Sequence, residues 1–150
     1  MASSHVTKPI TTESEEATAT AGRELGATLA AGDVVLLYGD LGAGKTAFVK
    51  GLAEGLGVSR DEVSSPTFTL VQEYRGGRLT LFHVDLYRIE DPREIDDLGL
   101  DELAEDGVLA IEWAEKLPPS RFRRDGGQGP QCVAVRIEHG DGDIRMITLA

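Results

Sequence analysis

Cysteine is nearly missing from this chain of 150 residues; Cys132 stands alone, so no intrachain disulfide can form. With no Cys-x-x-Cys, and with only His5, His83 and His139 as imidazoles, a structural zinc site is not expected. Cys132 reads instead as a small core residue on a strand. Long apolar runs are lacking too. None approaches the roughly 20 residues of a membrane span, and the opening Met1-Ala2-Ser3-Ser4-His5 carries no signal-peptide core. The expectation is a cytosolic protein with no membrane attachment. Basic charge is also short: 15 Lys and Arg against 26 Asp and Glu leave a net charge of −11. A chain that grips nucleic acid by itself carries a basic face that neutralises phosphates. The one local basic cluster, Lys116, Arg121, Arg123 and Arg124, reads as a solvated loop, so any role near nucleic acid is expected to run through a partner protein. No repeat or low-complexity tract appears. The length fits one domain over residues 1–150, with no room for a second catalytic domain.

What is present is a phosphate-cradling pattern. Gly39-Asp40-Leu41-Gly42-Ala43-Gly44-Lys45-Thr46 fits G-x-x-x-x-G-K-[ST] at every fixed position and follows the apolar run Val34 to Tyr38. Successive backbone N–H groups must turn inward around phosphate oxygens, and glycine tolerates the dihedrals and close approach this needs. Lys45 is placed to reach the β- and γ-phosphates, and Thr46 to offer a hydroxyl to Mg²⁺. Phe48, Val49, Leu52, Ala53 and Leu56 then recur at helical spacing, so a helix N-terminus points its partial positive charge at the phosphates. ATP with Mg²⁺ is the expected ligand pair.

Before the loop, Thr12 or Ser14 is expected to cap a helix running to about Ala30, with Glu13, Glu15 and Glu16 in its first turn. Val34 to Tyr38 reads as a parallel strand covered on both faces. After the loop helix, which runs to about Leu56, Ser64 to Phe68 breaks regularity and Thr69 to Tyr74 resumes as a strand. Gly76-Gly77 signals a two-residue hairpin returning through Leu79 to Val84. Val108 to Ile111 is a further buried strand. Val133, Val135 and Ile137 alternate toward a turn at residues 140–143, and Ile144 to Leu149 forms the last strand. The pattern predicts an α/β fold whose sheet has a parallel centre and antiparallel edge strands.

Such a site also needs an acid at a neighbouring strand end to hold the cation. Asp85 follows Leu81 to Val84, and Glu112 follows Val108 to Ile111. The second run is wholly apolar and reads as the central strand beside the loop, which favours Glu112; Asp85 stays open as the alternative. Parity places His83 on the same side of its strand as Asp85, where it reads as a packing or hydrogen-bonded residue.

In order and spacing, the phosphate loop Gly39–Thr46, Ser65-Pro66-Thr67-Phe68, His83-Val84-Asp85-Leu86-Tyr87-Arg88 and Ile111-Glu112-Trp113 resemble the TsaE (YjeE) family. These are small P-loop ATPases of bacterial tRNA threonylcarbamoyladenosine (t6A) biosynthesis, and the likeness covers about residues 10 to 118. It implies a P-loop NTPase sheet and ATP hydrolysis; with no obvious arginine finger in the sequence, turnover is expected to be slow in isolation. It also implies two protein partners, the carbamoyl-transferase subunit and its paralogue, with tRNA met only indirectly. By resemblance, Lys45 binds phosphate, Thr46 and Glu112 hold magnesium, Asp85 serves hydrolysis, Thr67 belongs to a switch near the γ-phosphate, and Trp113 lies near the nucleotide. The region around Thr12 approaches the adenine. Arg88 reads either as a stabiliser of phosphate charge or as an exposed salt-bridge partner. After Pro118 the likeness lapses.

Two other readings share the loop. A small P-loop kinase needs an acceptor site and a lid, for which Arg121 to Arg124 is the available segment. A nucleotide-gated binding module would order Ser64 to Phe68 without catalysis.

Overall fold

Seven strands share one sheet, and the two most continuously apolar runs of the sequence lie side by side at its centre. The computed structural model describes residues 9–39, 44–58, 71–91, 93–117, 131–142 and 144–149, without the side chain of His139. In chain order the elements are β1 (Ile10–Thr12), α1 (Glu15–Gly26), β2 (Val34–Gly39), α2 (Lys45–Gly55), β3 (Val71–Tyr74) and β4 (Thr80–Asp85). There follow α3 (Arg93–Asp96), α4 (Leu100–Glu105), β5 (Gly107–Glu112), a 3₁₀ turn (Ala114–Lys116), β6 (Cys132–His139) and β7 (Arg145–Leu149).

The strand order is β1-β7-β6-β2-β5-β4-β3. β2 runs parallel to both β5 and β6, and β5 parallel to β4, while β3, β7 and β1 add antiparallel borders. This is the expected parallel centre with antiparallel edges. It follows from burial: β2 and β5 are covered on both faces, so neither alternates with polar residues. On one face Val35, Leu37, Val108, Ala110, Val135 and Ile137 pack under Phe48, Val49, Leu52 and Leu56 of the α2 segment. On the other, Val34, Phe82, Val84, Leu109 and Ile111 pack against Ile95, Leu100 and Ala104 from the short helices. Each buried Val, Leu, Ile or Phe among them contributes about 1.5–3 kcal/mol by leaving water. Cys132 opens β6 half-buried against this second cluster rather than at its centre.

α1 and α2 lie backbone to backbone. A Cβ on Gly51 would sit 1.8 Å from the Ala19 carbonyl oxygen, and one on Gly22 would sit 2.1 Å from that of Phe48. Only glycine allows this approach, and it locks the loop helix against α1. None of the helices among the described residues is long and apolar enough to cross a membrane.

Three expectations need correction. Thr12 is not a cap: it closes β1, an unanticipated edge strand on β7, and its hydroxyl shares a hydrogen bond of 2.7 Å with Thr18. Ser14 is the cap, its Oγ accepting from the Ala17 N–H at 3.0 Å. α1 ends at Gly26 rather than near Ala30, because the Arg78 guanidinium donates to the Gly26 and Leu29 carbonyls (2.7 and 2.9 Å) and takes up the exposed end of the helix. The β3–β4 turn is longer than two residues, since Tyr74 pairs with Leu81 and residues 75–80 connect them. The Arg78 N–H donates to the Leu56 carbonyl at 2.8 Å, which draws that turn onto the end of α2. The Ser64 to Phe68 segment lies outside the described residues.

Candidate functional site

Because β2, β4 and β5 are parallel, their C-terminal ends meet at one edge of the sheet, where ligands of open α/β folds bind. β2 ends at Gly39, β4 at Asp85 and β5 at Glu112. Glu112 is register partner to Leu37 on one side and to Asp85 on the other. The two acids that sequence reading singled out therefore end side by side, next to the strand that leads into the phosphate loop.

α2 starts at this edge. Gly44 caps it with φ +92°, a left-handed conformation that spares glycine the strain a side chain would meet. Lys45 is the first helical residue, and its side chain is only 2% exposed. Its Nζ lies 3.5 Å from the Gly39 carbonyl oxygen and 5.0 Å from the centre of the Trp113 ring. Among the described residues this buried ammonium has one long hydrogen bond, an aromatic face and the nearby Asp85 charge to offset its loss of water. Thr46 follows it on α2, half-buried.

Asp85 is half-buried, and its carboxyl is raised above the ordinary aspartate value, chiefly by desolvation. The Tyr87 N–H, donating to Oδ1 at 2.9 Å, opposes that rise; the neighbouring Glu112 carboxylate adds to it, and His83 and Lys45 pull it down. Glu112 is 6% exposed and His83 is completely buried. His83 Nε2 and Glu112 Oε2 lie 2.5 Å apart, and His83 Nδ1 is buried with no hydrogen-bond partner. Trp113 adopts φ +61°, the one non-glycine residue with positive φ among the described residues. That turn at the end of β5 lays its ring over Lys45 and against Tyr87, with ring centres 5.2 Å apart.

The structure thus brings together Gly39, Gly44, Lys45, Thr46, Asp85, Glu112 and Trp113. Asp40, Leu41, Gly42, Ala43 and Thr67 lie outside the described residues, as do Arg121, Arg123 and Arg124. Sequence reading missed Lys116. Placed there in a solvated basic cluster, it is instead a tie whose Nζ donates to the Tyr87 and Ile89 carbonyls at 2.6 and 2.7 Å. It thereby binds the segment after Asp85 to the turn after Glu112, and nothing in its local sequence signals that reach.

The comparisons with known proteins agree with this geometry. A family model described as threonylcarbamoyl adenosine biosynthesis protein TsaE matches residues 12–146. A Nostoc protein named tRNA threonylcarbamoyladenosine biosynthesis protein TsaE is 47% identical over 138 residues, covering 87% of this chain and 78% of its own. Proteins of the same name from Bacillus subtilis and Rickettsia conorii are 56% and 41% identical, over 61% and 93% of this chain and 60% and 75% of their own. The crystal structure of YdiB from Bacillus subtilis superposes with a TM-score of 0.68 at 36% identity, covering 97% of this chain and 86% of that one. With a P-loop fold, the matched strand ends and relatives of this similarity along most of its length, the chain belongs to the TsaE family of tRNA threonylcarbamoyladenosine biosynthesis proteins.

Proposed function

We propose that this chain binds ATP with Mg²⁺ and hydrolyses the β–γ bond, giving ADP and phosphate, as the nucleotide-driven component of bacterial t6A synthesis. The observation that carries the reading is the buried Lys45 ammonium at the head of α2, facing the paired strand-end acids Asp85 and Glu112. A cation buried at a helix N-terminus attracts phosphate, and acids a strand apart serve a metal and a water.

Thr46 and Glu112 are the residues that would hold Mg²⁺. They fit it: both offer hard oxygen donors, and Mg²⁺ is typically bound through one or two protein oxygens plus substrate phosphates and waters. When bound, the ion neutralises charge growing on the transferred phosphoryl group. Lys45 exchanges its weak carbonyl bond for the phosphates, and Asp85 orients the attacking water and accepts its proton. The raised carboxyl of Asp85 suits a base, because proton transfer works best when the group's pKa approaches the working pH.

At −11 the chain is poorly suited to hold tRNA by itself, which supports a role exercised through partner proteins; the family resemblance supplies their identity, the carbamoyl-transferase subunit and its paralogue. Steady-state hydrolysis measured with and without those two subunits tests the reading. Slow turnover alone and a rise of an order of magnitude or more in the complex are expected. Rapid turnover unchanged on addition would overturn it.

A further inference from the structure

His83 is the group at this site that the mechanism leaves unused. Its ring is completely buried, its Nε2 lies 2.5 Å from Glu112 Oε2, and its Nδ1 has no hydrogen-bond partner. In strand register His83 sits opposite Ala110, two positions before the Asp85–Glu112 pair, so it reaches Glu112 from beneath, on the core side. Polar groups this deep cost stability when left unpaired, by about 1–3 kcal/mol each. An apolar residue would fill the same space without the orphaned Nδ1. The ring's one hydrogen bond goes to the carboxylate named above as a cation ligand.

We infer that His83 is a positioning residue for the cation site: its Nε2–H fixes the Glu112 carboxylate by engaging Oε2, which commits Oε1 to the metal. This rests on the reading of Glu112 as a magnesium ligand. The physical basis is that a carboxylate tethered at one oxygen loses its rotamer freedom before the ion arrives, so binding does not have to supply that ordering. A carboxylate only accepts hydrogen bonds, so the ring nitrogen facing it is the donor. Partners of this kind, acting through a ligand, typically change metal affinity 10–100-fold when removed.

The test compares His83→Gln, whose amide reaches as far as Nε2, with His83→Asn, whose amide stops short. Magnesium is titrated by calorimetry against the protein with the non-hydrolysable ATP analogue adenylyl imidodiphosphate, and nucleotide binding without magnesium is measured alongside. His83→Asn should raise the half-saturating magnesium concentration by about 10–100-fold, leave magnesium-free nucleotide affinity within about twofold, and keep a cooperative melt. His83→Gln should restore the metal response to within about threefold of the parent. The proposal is overturned if His83→Asn leaves the magnesium midpoint unmoved, if both affinities fall together, or if Gln does no better than Asn. Glu112→Gln is the control. If it does not shift the magnesium midpoint, the metal-ligand reading fails with the proposal. If it shifts the midpoint and His83→Asn does not, the role of His83 alone is lost.

Discussion

Asp85 and Glu112 are register partners at the last positions of two adjoining parallel strands, with the Glu112 backbone carbonyl accepting from the Leu86 N–H at 3.2 Å. The two acids sit in different surroundings. Glu112 is the more buried and is tied to His83, while Asp85 is half-open and carries the raised carboxyl.

Replacing Asp85 with Asn separates stability from turnover. A raised carboxyl binds its proton more readily in the folded state than in the unfolded chain. Its contribution to stability is therefore lost as pH climbs from the unfolded value near about 3.9 through the folded one. The amide can still accept from the Tyr87 N–H. Asp85→Asn should thus gain thermal stability relative to the parent as pH rises, while hydrolysis drops by about 10²–10⁴-fold. Melting curves between acid and neutral pH, beside a phosphate-release assay, check both.

Lys45→Met keeps the buried stem and removes the charge. Since, among the described residues, the ammonium's burial is offset by one 3.5 Å carbonyl bond, the Trp113 face and the Asp85 charge, the variant should melt no lower than the parent. Its affinity for ATP, read by calorimetry, should fall at least tenfold.

Trp113 is the one tryptophan of the chain, so its emission reports on Lys45 directly. The ammonium 5.0 Å from its ring must leave when phosphate arrives. Adding ADP with magnesium should change the fluorescence of the parent and leave Lys45→Met unaltered. An equal change in both would dissociate the ring from the lysine.

Gly51→Ala places a methyl 1.8 Å from the Ala19 carbonyl oxygen, on backbone that cannot turn aside. A loss of about 1–3 kcal/mol or more is expected from overpacking, visible as a lower urea midpoint.

Much of this was legible beforehand where one residue pattern had one physical solution. The run Val34 to Tyr38 followed by Gly39–Thr46 permits little besides strand, loop and helix, and Val108 to Ile111 could only be a buried strand. Alternation found β6, β7 and the β3–β4 pair. What stayed hidden was too short for a period to show: β1 with three residues, α3 with four and α4 with six. Long-range ties were hidden as well. Arg78 and Lys116 look like ordinary surface cations in the sequence, and their carbonyl partners are set by tertiary structure alone. Glu112 was preferred to Asp85 on hydrophobicity, but its tie to His83 needed the register of β4 against β5.

The glycine seam between α1 and α2 carries a mechanical consequence. Where two main chains touch with no side chains between them, there are no rotamers to absorb a small slip. The pair is therefore built to shift as one body, α1 carrying with it the helix whose first residue is Lys45.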